Sequence, residues 1–139
     1  WFSLYFNWLN TLSCPVLNAP SPRGLCGAWQ SAAEIQRFAE ICGFEILPEP
    51  ALAGDAHSGV PEHLVLVGER AFGTSKHAGA RDAGLRMAAL WRTALLEITL
   101  CSAGRYAGRF IDASPLPDLR IGGDAALDAL ARLLVAPTH

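Results

Sequence analysis

Residues 95–120, LLEITLCSAGRYAGRFIDASPLPDLR, are predicted to contain two strands and the loop between them. Apolar side chains alternate with other residues along 95–100, which is the period of a half-buried strand. A second strand is predicted over about 106–113, returning antiparallel and stopping at two prolines, which remove backbone donors. The stretch therefore predicts an antiparallel hairpin, to which the other elements can be added.

More strands and helices are predicted on either side of this hairpin. Residues 63–73, HLVLVGERAFG, are two apolar runs around a Gly-Glu turn, as expected for a hairpin with a type II′ turn. Apolar periodicity predicts helices over 78–92 and 123–135. Residues 63–139 are therefore predicted to form one subdomain, an antiparallel sheet backed by helices.

Residues 1–50 are predicted to form a helix–strand–helix unit, the remnant of an N-terminal α/β domain. Residues 1–12 are apolar apart from a narrow polar stripe, so this helix is expected to need packing on several sides. Residues 14–18, CPVLN, predict a short strand, and an S-x-x-E capping box at Ser31 begins the second helix. The small and polar residues 51–62 predict a linker. The predicted fold class is mixed α/β, and more specifically α+β, because the sheet is expected to be antiparallel.

Composition limits the possible partners. The 139 residues are 51% hydrophobic and 17% charged, which favours a protein neighbour for part of the surface. The formal net charge of -2 gives no electrostatic reason to expect nucleic acid or an acidic membrane surface. No run of about 20 apolar residues predicts a membrane span.

The cysteines indicate a cellular compartment, and the first residues indicate whether the chain is a fragment. The 4 cysteines lack C-x-x-C spacing, so buried thiols in a reducing cytoplasm are expected rather than a zinc site. The chain begins at Trp1, within an apolar run and without a signal-peptide pattern. We expect a fragment of a longer protein, with either an upstream segment, a partner protein or a second copy against the first helix.

Asp112 and Ser114 are the main candidate site residues. They lie two apart on one predicted strand and therefore share a face, where a carboxylate and a hydroxyl could both bind Mg²⁺. The alternative interpretation is that these two residues only end the strand, since Asp and Ser before proline commonly start turns. Spacing alone favours the turn. Glu97 and Asp112 could form a carboxylate pair, depending on the hairpin register.

Other candidates have simpler explanations. Asp118 and Arg120 could clamp a ligand, but an exposed loop pair is more common. Arg23 could hold an anion near the start of a helix, although a solvated loop is favoured. No G-x-S-x-G, G-x-x-x-x-G-K-[ST] or G-x-G-x-x-G motif is present, so a serine hydrolase, a P-loop NTPase and a dinucleotide-binding domain are unsupported.

Two parts of the chain follow the patterns of one family. The first is residues 14–50, CPVLNAPSPRGLCGAWQSAAEIQRFAEICGFEILPEP, with a P-V-[IVL]-N strand, a loop, a helix and a Gly-Phe strand ending at proline. The second is residues 62–73, EHLVLVGERAFG, together with residues 95–120. This part is similar to a V-V-G-[DE]-[RK] hairpin, then a strand ending in an acidic residue, then a strand that reads [VF]-x-E-x-N-P-x-P. Together they resemble ATP-grasp proteins, particularly those of bacterial peptide-maturation and natural-product loci.

The resemblance implies an ATP-dependent carboxylate–amine ligase, with ATP and Mg²⁺ as cofactors and the sheet of residues 63–139 as the family's C-terminal subdomain. By position, the family's acidic residue, Glu and Asn correspond to Thr99, Asp112 and Ser114. All three ligands have changed, which implies weaker metal binding.

The family's lid lysines, which grip the phosphates, also have no counterpart here. Only about 15 residues separate Pro48 from Leu64, and the single lysine, Lys76, matches neither lysine position. The sequence therefore predicts an ATP-grasp-like protein whose nucleotide and Mg²⁺ binding is weakened or lost. The alternative is a non-catalytic partner or scaffold protein that docks through its apolar first helix.

Overall fold

The computed structural model describes residues 2–12, 16–21, 29–48, 60–102 and 104–135. Within these ranges four strands form one antiparallel sheet: β1 (Glu62–Val67), β2 (Arg70–Gly73), β3 (Leu95–Leu100) and β4 (Phe110–Ser114). The strand order is β2-β1-β3-β4, with antiparallel pairing throughout. Both predicted hairpins are thus confirmed, and β1 joins them by pairing with β3.

Four α-helices accompany the sheet in the described residues: α1 (Phe2–Asn10), α2 (Ala32–Ile41), α3 (Ala80–Trp91) and α4 (Gly123–Val135). The predicted capping box is present, with the Ser31 hydroxyl accepting from the Glu34 N–H and the Glu34 carboxylate accepting from the Ser31 N–H. Helices and an antiparallel sheet in one chain confirm the α+β class. None of the described helices has the length and apolar content of a membrane span.

Helices pack on both faces of the sheet because successive strand side chains point to opposite sides. On one face, which we call the α2–α3 face, a buried core joins the sheet to α2 and α3; its strand residues include Leu64, Leu66, Leu96, Ile98, Leu100 and Phe110. On the opposite face, α4 buries Ala126 and Ala129 against Val65 and Val67 of β1. Most of the largest fully buried side chains, among them Phe110, Leu64 and Met87, therefore lie on the α2–α3 face.

The structure differs in part from two predictions for the N-terminal half. The strand predicted at 14–18 is wrong for residues 16–18, the part described, because Leu17 and Asn18 lie in a turn and Asn18 has φ 49. Of the linker predicted at 51–62, residues 51–59 lie outside the described residues, and Glu62 already belongs to β1.

Asn18 adopts a turn conformation, and its side chain bonds to the start of β3 and to the residue that follows β4. Its amide nitrogen donates to the carbonyls of Leu95, at 2.9 Å, and Pro115, at 2.7 Å. Its amide oxygen accepts from the Thr93 hydroxyl and from the N–H groups of Ala94 and Leu95, at 2.6 to 3.0 Å. One partly buried side chain thus holds the start of β3 beside the end of β4.

We expect Asn18→Ala to destabilise the protein by about 2–4 kcal/mol, because it leaves the Ala94 N–H and the Leu95 and Pro115 carbonyls without this partner. Urea unfolding of the two proteins measures the difference. Asn7→Ala, on the exposed surface of α1, is the matched control and should change the free energy of unfolding by no more than about 0.5 kcal/mol. Equal effects of the two substitutions would contradict the role assigned to Asn18.

Candidate functional site

The pairing of β3 with β4 brings four polar side chains to one face of the sheet. Thr99 lies opposite Asp112 and Glu97 lies opposite Ser114. His63 of β1 joins them because it lies opposite Thr99 on the other side of β3. We call these five residues the polar face. It is on the side of the sheet opposite the α2–α3 face, beyond the part of the sheet that α4 covers.

One extra residue in β4 determines that Asp112 belongs to the polar face. Phe110 pairs with Leu100 and Asp112 pairs with Thr99, so Ile111 is left between them in a β-bulge. Without the bulge, Asp112 would share a face with Phe110 and point into the core. The bulge therefore turns Asp112 toward Thr99.

Core packing explains why the strand contains this bulge. Phe110 and Ala113 are both buried in the core of the α2–α3 face. Residues three apart point to opposite sides of a regular strand, so both can enter one core only if a residue is inserted between them. Ile111 is that residue, and it packs instead with Leu47, Cys101 and Tyr106.

Asp112 and Ser114 share a face, as their spacing predicts, but their environments differ. The Ser114 hydroxyl accepts a hydrogen bond from the Leu116 N–H at 3.1 Å, which is the local turn that a serine before proline favours. Asp112 is exposed, and its carboxylate has no hydrogen-bond or ion-pair partner in the described part of the chain. Ser114 thus helps to end the strand, and Asp112 is the carboxylate left available on this face.

Glu97 is the most constrained carboxylate of the polar face. Its Oε1 lies 2.8 Å from His63 Nδ1, and its Oε2 accepts from the Asp118 N–H at 2.7 Å. Its side chain is only 14% exposed. The register places Glu97 and Asp112 diagonally on one face, but Glu97 is already bound to His63 and to the loop after β4.

Asp118 and Arg120 form an exposed loop pair. Arg120 Nε donates to Oδ1 of Asp118 at 2.9 Å and Nη2 donates to Oδ2 at 2.7 Å. These hydrogen bonds hold the pKa of the Asp118 carboxyl below its ordinary value. The Arg120 side chain is 90% exposed, so the pair contributes little to stability. This arrangement agrees with the simpler explanation from the sequence.

The remaining candidates do not add ligands to the polar face. Arg23 lies outside the described residues, and Lys76 is exposed in the connection between β2 and α3. Across the described ranges, no group of three or more His, Cys, Asp or Glu side chains is arranged to hold a metal ion. The polar face therefore offers one available carboxylate, with two hydroxyls and a histidine beside it.

Comparison with models of protein families, with curated proteins and with solved structures found no significant match to this chain.

Replacing Glu97 should be much more costly than replacing Asp112. Glu97→Ala leaves His63 and the Asp118 N–H without their partner, and we expect a loss of about 1–3 kcal/mol of stability. Glu97→Gln should cost less, because its amide oxygen can still accept from Asp118. Asp112→Ala, on the same face, should change stability by no more than about 0.5 kcal/mol, because that carboxylate is exposed and has no partner.

Urea unfolding of the three variants checks this order. Equal losses of stability in Glu97→Ala and Asp112→Ala would show that the hydrogen bonds of Glu97 do not stabilise the polar face.

Proposed function

We propose that this protein is a relative of the ATP-grasp carboxylate–amine ligases in which nucleotide and Mg²⁺ binding has been weakened or lost. The observation that carries the proposal is the arrangement of Thr99, Asp112 and Ser114 on one face of the β3–β4 hairpin. These are the positions at which the resemblance implies metal ligands. This shared face supports the proposal, because a metal site at these positions would need the three side chains on one side of the hairpin.

The chemistry of the three side chains argues for weak metal binding. Mg²⁺ requires near-octahedral oxygen coordination and is usually held by one or two carboxylates together with substrate phosphates. Thr99 carries no charge, and the Ser114 hydroxyl already accepts from Leu116. Asp112 alone remains as a charged ligand, since Glu97 is bound by His63 and Asp118.

The phosphates of ATP would also lack their usual partners. The resemblance implies lysines in a lid between the two halves of the chain, and the sequence has no lysine between Pro48 and Leu64. Arginine does not replace lysine well at such positions, because it presents a planar fork rather than a compact point charge on a flexible stem. Any remaining activity would be carboxylate activation as an acyl phosphate followed by attack of an amine.

A cytoplasmic location is part of the same proposal. Cys42 is buried as a free thiol, and burial raises its pKa, so the thiol is held in its protonated form. Such thiols are typical of reducing compartments.

We expect millimolar ATP with Mg²⁺ to leave the melting temperature unchanged. A ligand that binds only the folded state at 100 times its Kd would add about 2.7 kcal/mol, a shift that is easily measured in a domain of this size. Differential scanning fluorimetry of the wild type and of Asp112→Ala tests this. A shift that disappears in Asp112→Ala would overturn the loss of binding and indicate a working ligase site. A shift that survives the substitution would mean that nucleotide binds elsewhere.

The exposure of α1 favours a second candidate function, that of a non-catalytic protein that docks through this helix. Leu4 is 68% exposed and Trp8 is 57% exposed, four residues apart on one side of α1. No extensive contact joins α1 to another helix or strand of the described chain. Exposed apolar surface of this kind favours association, and the occupant we propose is a second copy of the chain.

Self-association through α1 should be lost when its apolar side becomes charged. We expect the wild type to form a concentration-dependent oligomer and Leu4→Asp with Trp8→Asp to be monomeric, as measured by size-exclusion chromatography with light scattering. Ser3→Asp with Asn7→Asp adds the same charge to exposed polar positions of α1 and should leave the oligomer intact. A wild type that remains monomeric over a wide concentration range would contradict docking of a second copy.

A further inference from the structure

A cavity of about 190 Å³ lies at the start of α3, away from the polar face. Its walls come from the turn after α2, from the residues before and within α3, and from the loop before β4. Phe44, Ala80 and Ala83, which line it, also belong to the core of the α2–α3 face. The cavity is therefore on the opposite side of the sheet from Asp112.

Its charged lining is entirely basic. Among the residues that the structure describes, His77 and Arg86 are the only titratable side chains that line the cavity, and no carboxylate does. Arg86 Nη2 donates to the Cys42 carbonyl at 2.7 Å, which leaves the other guanidinium N–H groups available. His77 Nε2 lies 3.5 Å from Oε2 of Glu62, a carboxylate that does not line the cavity. The two side chains make the cavity suitable for an anion.

Glycine backbone forms much of the remaining wall. Gly43, Gly79 and Gly108 line the cavity with φ values of 96, 80 and 83. A Cβ at Gly108 would lie 2.7 Å from His77 Nδ1, so the imidazole packs directly on the Gly108 backbone and is held in place. Gly79 precedes α3 without a side-chain cap, so no side chain of its own occupies this end of the cavity.

We propose that this cavity binds a phosphate group, either as free phosphate or on a small organic molecule. The guanidinium of Arg86 matches the oxygen geometry of phosphate, and Nδ1 of His77, the ring nitrogen that does not face Glu62, can donate a second hydrogen bond. Drug-sized ligands occupy sites of roughly 300–1,000 Å³, so the cavity is too small for a whole nucleotide. The proposal does not depend on the ATP-grasp resemblance, because it uses neither the polar face nor the hairpin positions.

Titration of the full chain with sodium phosphate, followed by amide NMR, tests the proposal. We expect saturable shifts at the amides of Gly43, Gly79 and Gly108, and none with sodium chloride at the same ionic strength. Sodium acetate should produce a smaller response at the same concentration. Shifts that do not saturate, or that lie elsewhere in the chain, would overturn the site. A stronger response to acetate would overturn the phosphate assignment in favour of a carboxylate.

Two substitutions separate the cavity from general charge effects. Arg86→Gln removes the charge, and it should raise the Kd for phosphate at least about tenfold, which corresponds to the loss of one charge-assisted hydrogen bond. Arg120→Gln removes the same charge from the exposed loop pair and should leave the Kd unchanged. Equal weakening of phosphate binding by the two substitutions would overturn the proposed site. If Arg86→Gln does not fold, the chemical shifts of the wild type decide alone. The absence of saturable shifts at the three glycines would then overturn the proposal.

Discussion

The β-bulge at Ile111 is the constraint on which the arrangement of the sheet depends. Phe110 and Ala113 must both enter the core of the α2–α3 face, and only an inserted residue lets two positions three apart do so. The main chain of Phe110 is also held on its outer side, where it bonds with the Glu45 carbonyl and the Leu47 N–H. The insertion therefore lies between a fixed Phe110 and a buried Ala113, and it decides which side of the sheet Asp112 reaches.

Two hydrogen-bonded side chains keep this register in place. Asn18 links the start of β3 to Pro115, just beyond the end of β4. Glu97, in the middle of β3, binds both His63 of β1 and the Asp118 N–H of the loop that follows β4. Because each contact joins segments distant in sequence, a slip of β4 along β3 would break both sets of hydrogen bonds as well as the core packing.

Local patterns in the sequence predicted much of this fold. Alternation along residues 95–100 identified β3, the capping box at Ser31 identified the start of α2, and the two-residue spacing placed Asp112 and Ser114 on one face. The exposed pair of Asp118 and Arg120 also followed from general expectations for loops.

What the sequence could not supply are contacts between distant residues. The Asn18 side chain bonds to residues about 75 or more positions away, and the pattern CPVLN therefore suggested a strand where the chain makes a turn. The partnership of His63 with Glu97 depends on the pairing of β1 with β3, which no local pattern specifies. The three-residue separation of the apolar Phe110 and Ala113 was the one available signal of the bulge.

The proposed relationship to the ATP-grasp ligases requires that the β3–β4 hairpin can hold a divalent metal once its reduced set of ligands is restored. Restoring the ligands by Thr99→Asp with Ser114→Asn tests it most directly, since asparagine can also maintain the turn after β4. Mn²⁺, which prefers oxygen ligands as Mg²⁺ does, broadens the NMR signals of nearby amides. From the proposal we expect saturable broadening at residues 97–99 and 112–114 in the restored variant. We expect none there in the wild type or in Ala131→Asp, which adds one charge to the exposed surface of α4. Equal broadening in all three proteins, or none in the restored variant, would contradict it.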